Sequence, residues 1–210
     1  MSAPLTAANK PQASPRLRGS KATLRHVLLV FVDGMGIPPG SLSESIYRDC
    51  PHLCQLLLKH CVPLDAGLGV QGTPQSATGQ TALLTGRNAA AEAGGHIEGF
   101  PNAQLRQIIQ ERNLFSDLIN QGKCCTFANA YVLGPGGHLP LSLRSVTTVA
   151  TLSALGTTRT REDLLAGHAV YHDITRQTLP ERGITDILPI PESTAARHLL
   201  TILRTVDFCL

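Results

Sequence analysis

Two oxygen-bearing side chains have the types and positions for metal-assisted nucleophilic chemistry. Asp33 directly follows the apolar run HVLLVFV (26–32) and precedes Gly34. A carboxylate at the end of a buried strand, beside a flexible glycine, is placed to ligate a divalent cation, although Asp also stabilises ordinary turns. Ser76 lies in TPQSATGQT, where a helix is predicted to begin. The positive end of a helix stabilises an alkoxide and an attached phosphate, although Ser is also a common N-cap.

The elements that must position these side chains alternate between strand and helix patterns. HVLLVFV is typical of a strand buried on both faces, and SATGQTALLTGR predicts a helix from Ser76 that ends at Gly86. Further helices are predicted to begin at Pro51, at Asn102, near 114, near 144, after Thr160 and at Pro191, and further strands at 62–64, 124–130, 168–174 and 207–210. This alternation favours an α/β fold with a mostly parallel sheet, in which ligands bind at the carboxyl ends of the strands.

Composition limits the function classes. The chain has 210 residues, of which 42% are hydrophobic and 16% are charged, so it has enough apolar residues for a core. Residues 1–25 carry five of the 18 basic residues and no acid, which leaves 13 basic and 15 acidic residues in 26–210. We therefore predict a disordered basic tail over 1–25 and a folded domain over 26–210. No nucleic-acid partner is expected, because the folded part is not basic and only 4% of the residues are aromatic.

The N-terminal sequence predicts neither a membrane span nor a secretory signal. The apolar run 27–32 is far shorter than the ~20 residues of a membrane span, and the tail lacks the apolar centre of a secretory signal. We therefore expect no membrane partner and a cytoplasmic location; the acid-free, Arg-containing start leaves an organelle transit peptide as the alternative. The six Cys form no C-x-x-C pair and are interpreted as small apolar residues rather than as a metal site.

Three segments taken together resemble the alkaline phosphatase superfamily of metalloenzymes. These segments are VFVDGMG, TPQSATGQTALLTGR and GGHIEGFP. In cofactor-independent phosphoglycerate mutases, a strand-end Asp-Gly is followed by G-N-S-E-V-G-H-L-N-I-G-A-G-R, whose Ser is the phosphorylated nucleophile. Residues 74–87 align with that motif without a gap, and the identities are Ser76, Gly79, Gly86 and Arg87. The run PQSATGQTALLTG is most similar to uncharacterised bacterial "metalloenzyme domain" proteins.

The resemblance implies a fold, a cofactor and a chemistry. The implied fold is a three-layer α/β/α alkaline phosphatase-like domain with a mostly parallel central sheet. The implied cofactor is a pair of divalent metal ions, zinc or manganese, with Asp33 and Ser76 among the ligands. Ser76 would be the nucleophile of a phosphoryl-transfer or phosphoester-hydrolysing enzyme and would form a covalent phospho-enzyme. The expected partner is a small phosphorylated substrate.

Two further residues are candidates for substrate binding. Arg87 could bind a substrate phosphate, but a basic residue at a helix end also has a structural use. His96 resembles the His that follows a Thr-Gly pair in nucleotide pyrophosphatase-like members, a pair matched here by Thr85 and Gly86. Thr78 is a less favoured nucleophile than Ser76, because it aligns with a Val of the mutase motif.

The sequence departs from the superfamily at the second group of metal ligands. That group commonly includes an Asp-x-x-Gly-His-like segment after a buried strand, and no such segment occurs in residues 1–210. The candidate substitutes for this group are His168, His172, Asp173 and His138. Because the chain stops at Leu210 as the corresponding strand begins, the resemblance implies that the C-terminal part of the domain is missing.

Two alternatives to an active enzyme therefore stay open at the level of the sequence. One is a catalytically incomplete fragment or subunit that needs a partner chain, either a complementing C-terminal chain or a second copy in a homodimer. The other is a plain dinucleotide-binding module, which Pro39 disfavours because a G-x-G-x-x-G loop beginning at Gly34 requires Gly at that position.

Overall fold

A computed structural model describes residues 25–37, 40–133 and 137–210. All of the predicted basic tail except Arg25 lies outside these residues. The strands are β1 (Val27–Leu28), β2 (Cys125–Thr126) and β3 (Phe208–Cys209), and the helices are α1 (Pro51–His60), α2 (Ser76–Thr85), α3 (Ala89–Glu92), α4 (Ala103–Glu111), α5 (Leu114–Asn120), α6 (Val146–Leu155), α7 (Arg161–Leu165) and α8 (Glu192–Leu203). Among the described helices none is long and apolar enough to cross a membrane.

The three strands form one parallel sheet in the order β1-β3-β2. Phe208 of the central strand pairs with Val27 on one side and with Cys125 on the other. The ladder continues past β2, because the Ala128 N–H donates to the Leu210 carbonyl (2.7 Å) and the Val170 N–H donates to the Ala128 carbonyl (2.9 Å). The predicted mixed α/β class and the parallel pairing are therefore confirmed.

Helices pack against both faces of the sheet, as the alternation of side chains along a strand requires. On one face, Leu28 and Cys209 pack in a cluster with Ile202 of α8 and with Val206, which follows that helix. Phe208 and Leu210 belong instead to a larger cluster with side chains of α2, α4, α5 and α6. Phe115 of α5 meets Phe208 edge-on, with ring centroids 5.6 Å apart and an interplanar angle of 77°.

The helix boundaries follow local sequence chemistry. Gly86 and Gly156 end α2 and α6 with φ of 71° and 76°, a conformation that suits glycine. Asn102 caps α4 by accepting the Leu105 N–H. Thr160 forms a capping box with the third residue of α7. The predicted helix ends at these positions are confirmed.

Two strand predictions were wrong, and one helix was missed. Residues 62–64 are not a strand, and the 168–174 segment contributes only an isolated parallel bridge from Val170 to Asn129. The one-turn helix α3 was not predicted. Apolar β-branched residues favour strands, but a strand forms only where a neighbouring backbone is present to pair with it.

Candidate functional site

The structure brings Ser76 and Asp33 into direct contact. The Ser76 Oγ donates a hydrogen bond to the Asp33 carboxylate and lies 3.0 Å from Oδ1 and 3.1 Å from Oδ2. These residues are 43 positions apart in the chain. A hydroxyl that donates to a carboxylate already has a proton acceptor in place, which is the first requirement for activating it as a nucleophile.

Asp33 lies on the segment that leaves β1. It follows the apolar run 26–32, five residues after β1 ends at Leu28, and is exposed to solvent. The next residue, Gly34, has φ of 73°, so the chain turns sharply there. The Asp33 carboxylate faces the start of α2, where it accepts the Ser76 hydroxyl.

Ser76 is the first residue of α2 and does not cap it. The N-cap is Gln75, which has extended backbone angles (φ −128°, ψ 151°) and makes no side-chain cap hydrogen bond. The alternative interpretation of Ser76 as an ordinary N-cap is therefore wrong. Its hydroxyl is free to face Asp33, and it lies beside the free N–H groups at the positive end of the helix.

The rest of α2 holds Ser76 firmly. Ala77, Thr78, Thr81 and Leu84 are buried between α2 and its neighbours. Thr78, the less favoured nucleophile, donates to the Gln75 carbonyl (3.2 Å), so its hydroxyl is occupied inside the fold. The buried face of α2 thus fixes the exposed face that carries Ser76.

Gln80 is a site residue that the sequence interpretation missed. It lies one helical turn after Ser76 on the same face of α2. Its Nε2 is 3.5 Å from Asp33 Oδ2, a long contact at the limit of a hydrogen bond. The i, i+4 spacing of Ser76 and Gln80 was the available signal, but nothing in the sequence placed Asp33 opposite both.

Asp33 and Ser76 provide only part of the ligands that a hard or borderline cation requires. The carboxylate of Asp33 and the hydroxyl of Ser76 are oxygen ligands of the kind that such cations accept. In the part of the chain that the structure describes, no three or more His, Cys, Asp or Glu side chains are grouped so as to hold a metal ion. The described residues therefore provide fewer than three ligands of these four types at this site.

Arg87 lies after the end of α2 and does not contact Asp33. Its guanidinium forms ion pairs with Glu92 and with Glu111 (Nη1 to Oε2, 2.8 Å). Hydrogen bonds to Glu92 and then to Glu111 raise the pKa of Arg87 above its usual range. Its side-chain donors therefore face two carboxylates.

His96 is also separate from the Ser76 hydroxyl in its contacts. Its Nε2 is 3.4 Å from the Val70 carbonyl, and its ring lies beside Gly72. The Nδ1 atom is buried and has no hydrogen-bond partner among the described residues. An unpartnered buried nitrogen is uncommon, but nothing in the geometry directs this one to Asp33.

The proposed substitutes for a second ligand group do not assemble around Asp33. The Asp173 carboxylate accepts the backbone N–H groups of Arg176 (2.6 Å) and Thr178 (2.7 Å). Burial raises the pKa of Asp173, but the hydrogen bonds from Thr178 and Arg176 outweigh it, so the pKa lies below its usual value. This carboxylate stabilises its own loop. His138 and His168 are exposed.

One large cavity connects several of these elements. Its volume is about 1060 Å³, and it is lined by Asp33 and Gln80 of the candidate site and by residues that follow β2, the loop 170–175 and α8. His172 and Asp173 also line it, so they share a cavity with Asp33 although they do not ligate together with it. A cavity outside the carboxyl ends of parallel strands is the usual ligand position in α/β folds.

No protein-family model, curated protein or solved structure matches this chain. The chemistry of the site is therefore inferred from its residues and from their geometry. The decisive contact is the one between Ser76 and Asp33, at the junction of a strand end and a helix start.

Proposed function

We propose that this chain is a metal-dependent phosphoryl-transfer or phosphoester-hydrolysing protein of the alkaline phosphatase superfamily. The observation that supports this proposal is the hydrogen bond from the Ser76 hydroxyl to the Asp33 carboxylate at the positive end of α2. A parallel sheet with helices on both faces is compatible with the three-layer α/β/α architecture of that superfamily. We also propose a cytoplasmic location and a small phosphorylated substrate.

Ser76 is the nucleophile in this proposal. Its Oγ attacks the phosphorus atom, an Oγ–P bond forms, and the bond from phosphorus to the ester oxygen breaks. The proton of the hydroxyl passes to Asp33, and the free N–H groups at the start of α2 bind the phosphoryl oxygens. The alcohol portion leaves with the electron pair of the broken bond. Water then attacks the phosphoserine, the Oγ–P bond breaks, inorganic phosphate leaves, and the Ser76 Oγ regains its proton from Asp33.

Asp33 and Ser76 are the residues that would hold a divalent ion, zinc or manganese. When bound, such an ion lowers the pKa of the hydroxyl and neutralises charge on the phosphoryl group. Arg87 and His96 remain proposed substrate contacts. For Arg87, binding a phosphate requires the guanidinium to exchange a glutamate partner for it.

The second candidate is a catalytically incomplete fragment or subunit whose metal site is completed by another chain, either a complementing chain or a second copy. It is favoured by one observation. Among the described residues no three His, Cys, Asp or Glu side chains come together, and a two-metal site needs more ligands than Asp33 and Ser76.

Hydrolysis of p-nitrophenyl phosphate with added Mn²⁺ or Zn²⁺ separates the two candidates. Under the first candidate the chain turns over, and both Ser76→Ala and Asp33→Asn lower kcat by about a hundredfold or more. Matched controls are Ser193→Ala and Asp49→Asn, because both residues are exposed and lie outside the site. The controls should retain the parent rate.

A well-folded chain without turnover, at any tested metal concentration, would reject the first candidate. Size-exclusion chromatography and isothermal titration with Mn²⁺ then test the second. An incomplete site binds the ion weakly, and Asp33→Asn removes that binding. Metal binding that survives Asp33→Asn would show that Asp33 is not a metal ligand, either in an active enzyme or in an incomplete site.

A further inference from the structure

The cavity beside Asp33 is large enough for more than a phosphate group. Its volume of about 1060 Å³ is at the top of the ~300–1,000 Å³ range of small-molecule sites. Asp33 and Gln80 are part of its wall. A phosphoryl group at Ser76 would therefore have its ester substituent next to this space.

The wall of the cavity is rich in aromatic side chains. The whole sequence contains only five Phe and three Tyr and no Trp. Five of these eight aromatic residues line this one cavity, namely Phe31, Phe100, Phe127, Tyr131 and Tyr171. The ring of Tyr171 also lies against His172, with centroids 4.2 Å apart. Phe127 and Tyr171 are buried in the core, with exposed fractions of 6% and 5%, whereas Phe100 is exposed and Phe31 and Tyr131 are half-buried. The last three rings are therefore the ones accessible to a flat aromatic ligand, which they would bind through offset or edge-to-face contacts.

Several apolar side chains on the wall are in contact with water. Val30, Leu143 and Phe100 all line the cavity, and their exposed fractions are 59%, 51% and 48%. An apolar ligand binds favourably to such concave apolar surface, because the contact removes apolar area of both partners from water. The cavity is therefore suited to an apolar group rather than to a sugar or a polyol.

The acidity of the leaving group also favours an aryl ester as the substrate. An aryl ester releases a phenolate-type oxygen, whose conjugate acid has a pKa of about 10, as in Tyr. Such a leaving group departs with less help from a proton donor than an alkoxide does. The Ser76 hydroxyl contacts the Asp33 carboxylate, and the Gln80 amide that lies 3.5 Å from this carboxylate is not an acid that could protonate a leaving group.

We infer that the substrates of this site are phosphate esters of aromatic alcohols, with the aryl group seated in the cavity between Phe31, Tyr131 and Leu143. This inference rests on the proposed function for the phosphoryl half of the substrate. The aryl half stands on the cavity itself and is testable without turnover. In the reaction, the bond between phosphorus and the aryl oxygen breaks, Ser76 takes the phosphoryl group, and the phenolate leaves with the electron pair.

Binding of 1-naphthol to the full chain, measured by isothermal titration calorimetry, tests the aryl half. Leu143→Ala should raise Kd by roughly three- to tenfold through lost apolar contact. Leu141→Ala is the matched control, because Leu141 lies in the same 3-10 turn and has the same 51% exposure but does not line the cavity. It should change Kd by less than about twofold.

A cavity-filling pair provides the second test. Ala196→Trp on α8 places a large ring in the cavity and should raise Kd for 1-naphthol by about tenfold or more. Thr201→Trp puts the same ring on an exposed position of α8 that does not line the cavity, and should leave Kd unchanged. No 1-naphthol binding, or binding that Ala196→Trp leaves unchanged, overturns the inference.

Turnover separates this inference from the proposed function. With Mn²⁺, kcat/KM for 1-naphthyl phosphate should exceed that for glycerol 2-phosphate by about tenfold or more, and Ala196→Trp should remove the difference. Turnover of both esters at equal kcat/KM rejects the aryl inference and keeps the proposed function. Binding of 1-naphthol without turnover of either ester rejects the proposed function and keeps the cavity as an aryl-binding site.

Discussion

The packed helical layer, formed by α2, α4, α5 and α6, differs sharply from the N-terminal segment, residues 27–37 and 40–64. In the layer, Leu105, Ile109 and Phe115 are fully buried. In the N-terminal segment, α1 has no buried residue, and Ile46, Val62 and Leu64 are 84%, 81% and 80% exposed. The same types of apolar side chain therefore contribute to a core in one region and lie in water in the other.

The candidate site lies where these two regions meet. Ser76 belongs to the packed helical layer, and Asp33 belongs to the N-terminal segment. The nucleophile is thus held by a buried helix face, while its carboxylate partner stands on a lightly packed loop. Variation in the distance between the Ser76 hydroxyl and the Asp33 carboxylate should therefore come mainly from movement of Asp33 rather than of Ser76.

The largest expected effect comes from removing a core ring of the packed helical layer. Phe115→Ala should lower the free energy of unfolding by about 3–5 kcal/mol, because it leaves a cavity against Phe208. Leu58→Ala on α1, where the side chain is 73% exposed, should cost less than about 0.5 kcal/mol. Urea denaturation measures both. A similar cost for both variants would show that α1 is packed in solution and would break the comparison.

Removal of the N-cap side chain should also cost more stability in the packed helical layer than in the N-terminal segment. Asn113 is 2% exposed, accepts two N–H groups at the start of α5, and donates to the Ile109 carbonyl. Asn113→Ala should therefore cost about 1–3 kcal/mol. Cys50, at the N-cap of α1, makes no side-chain cap hydrogen bond, so Cys50→Ala should be within about 0.5 kcal/mol of the parent. Equal losses on urea denaturation would contradict this difference.

The contact that joins the two regions should contribute little to stability. Ser76→Ala removes a solvent-exposed hydrogen bond and should cost less than about 1 kcal/mol. Amide hydrogen exchange of residues 33–37 should become faster, whereas exchange in α2 should stay unchanged. If exchange over 33–37 is unaffected, Ser76 does not position Asp33.

The smallest expected effect is a pH dependence outside both regions. Burial, followed by the charge of Arg176, lowers the pKa of His198 below its usual value. The unfolded chain then binds the proton more readily than the folded chain. The contribution of His198 is complete above pH ~6.5 and is lost as the pH falls through 6.5 toward the lower folded-state pKa.

The pH effect is measured from urea midpoints between pH 5 and 8. His198→Gln should flatten the rise of stability with pH in this window, because it removes the group whose protonation favours the unfolded state. An unchanged slope would show that His198 is equally protonated in both states.

The sequence predicted the two residues of the site but not their contact. Asp33 and Ser76 were identified from a strand end and a helix start, which are local features. The alternative of Ser76 as an N-cap stayed open, because a local pattern places a helix start only to within one or two residues. Gln80 was missed because its contact depends on where Asp33 lies relative to α2. That position is set by pairing between segments that are far apart in the chain.

The sequence also predicted helices better than strands. Helix ends are determined within a few residues, as Asn102, Gly86 and Gly156 show, since the capping side chain or the left-handed glycine acts on its own turn. The run 26–32 has the composition of a long strand, yet only Val27 and Leu28 pair as β1. Composition does not provide the neighbouring backbone that a ladder requires.

By itself, the sequence determined the α/β class, the helix boundaries and the chemical character of Asp33 and Ser76. Only the tertiary structure decided that these two side chains meet, that Arg87 faces two glutamates instead, and that five aromatic residues surround one cavity. The physical reason is that caps and periodicity act over one or two turns, whereas contacts between distant residues depend on how the sheet and the packed helical layer come together.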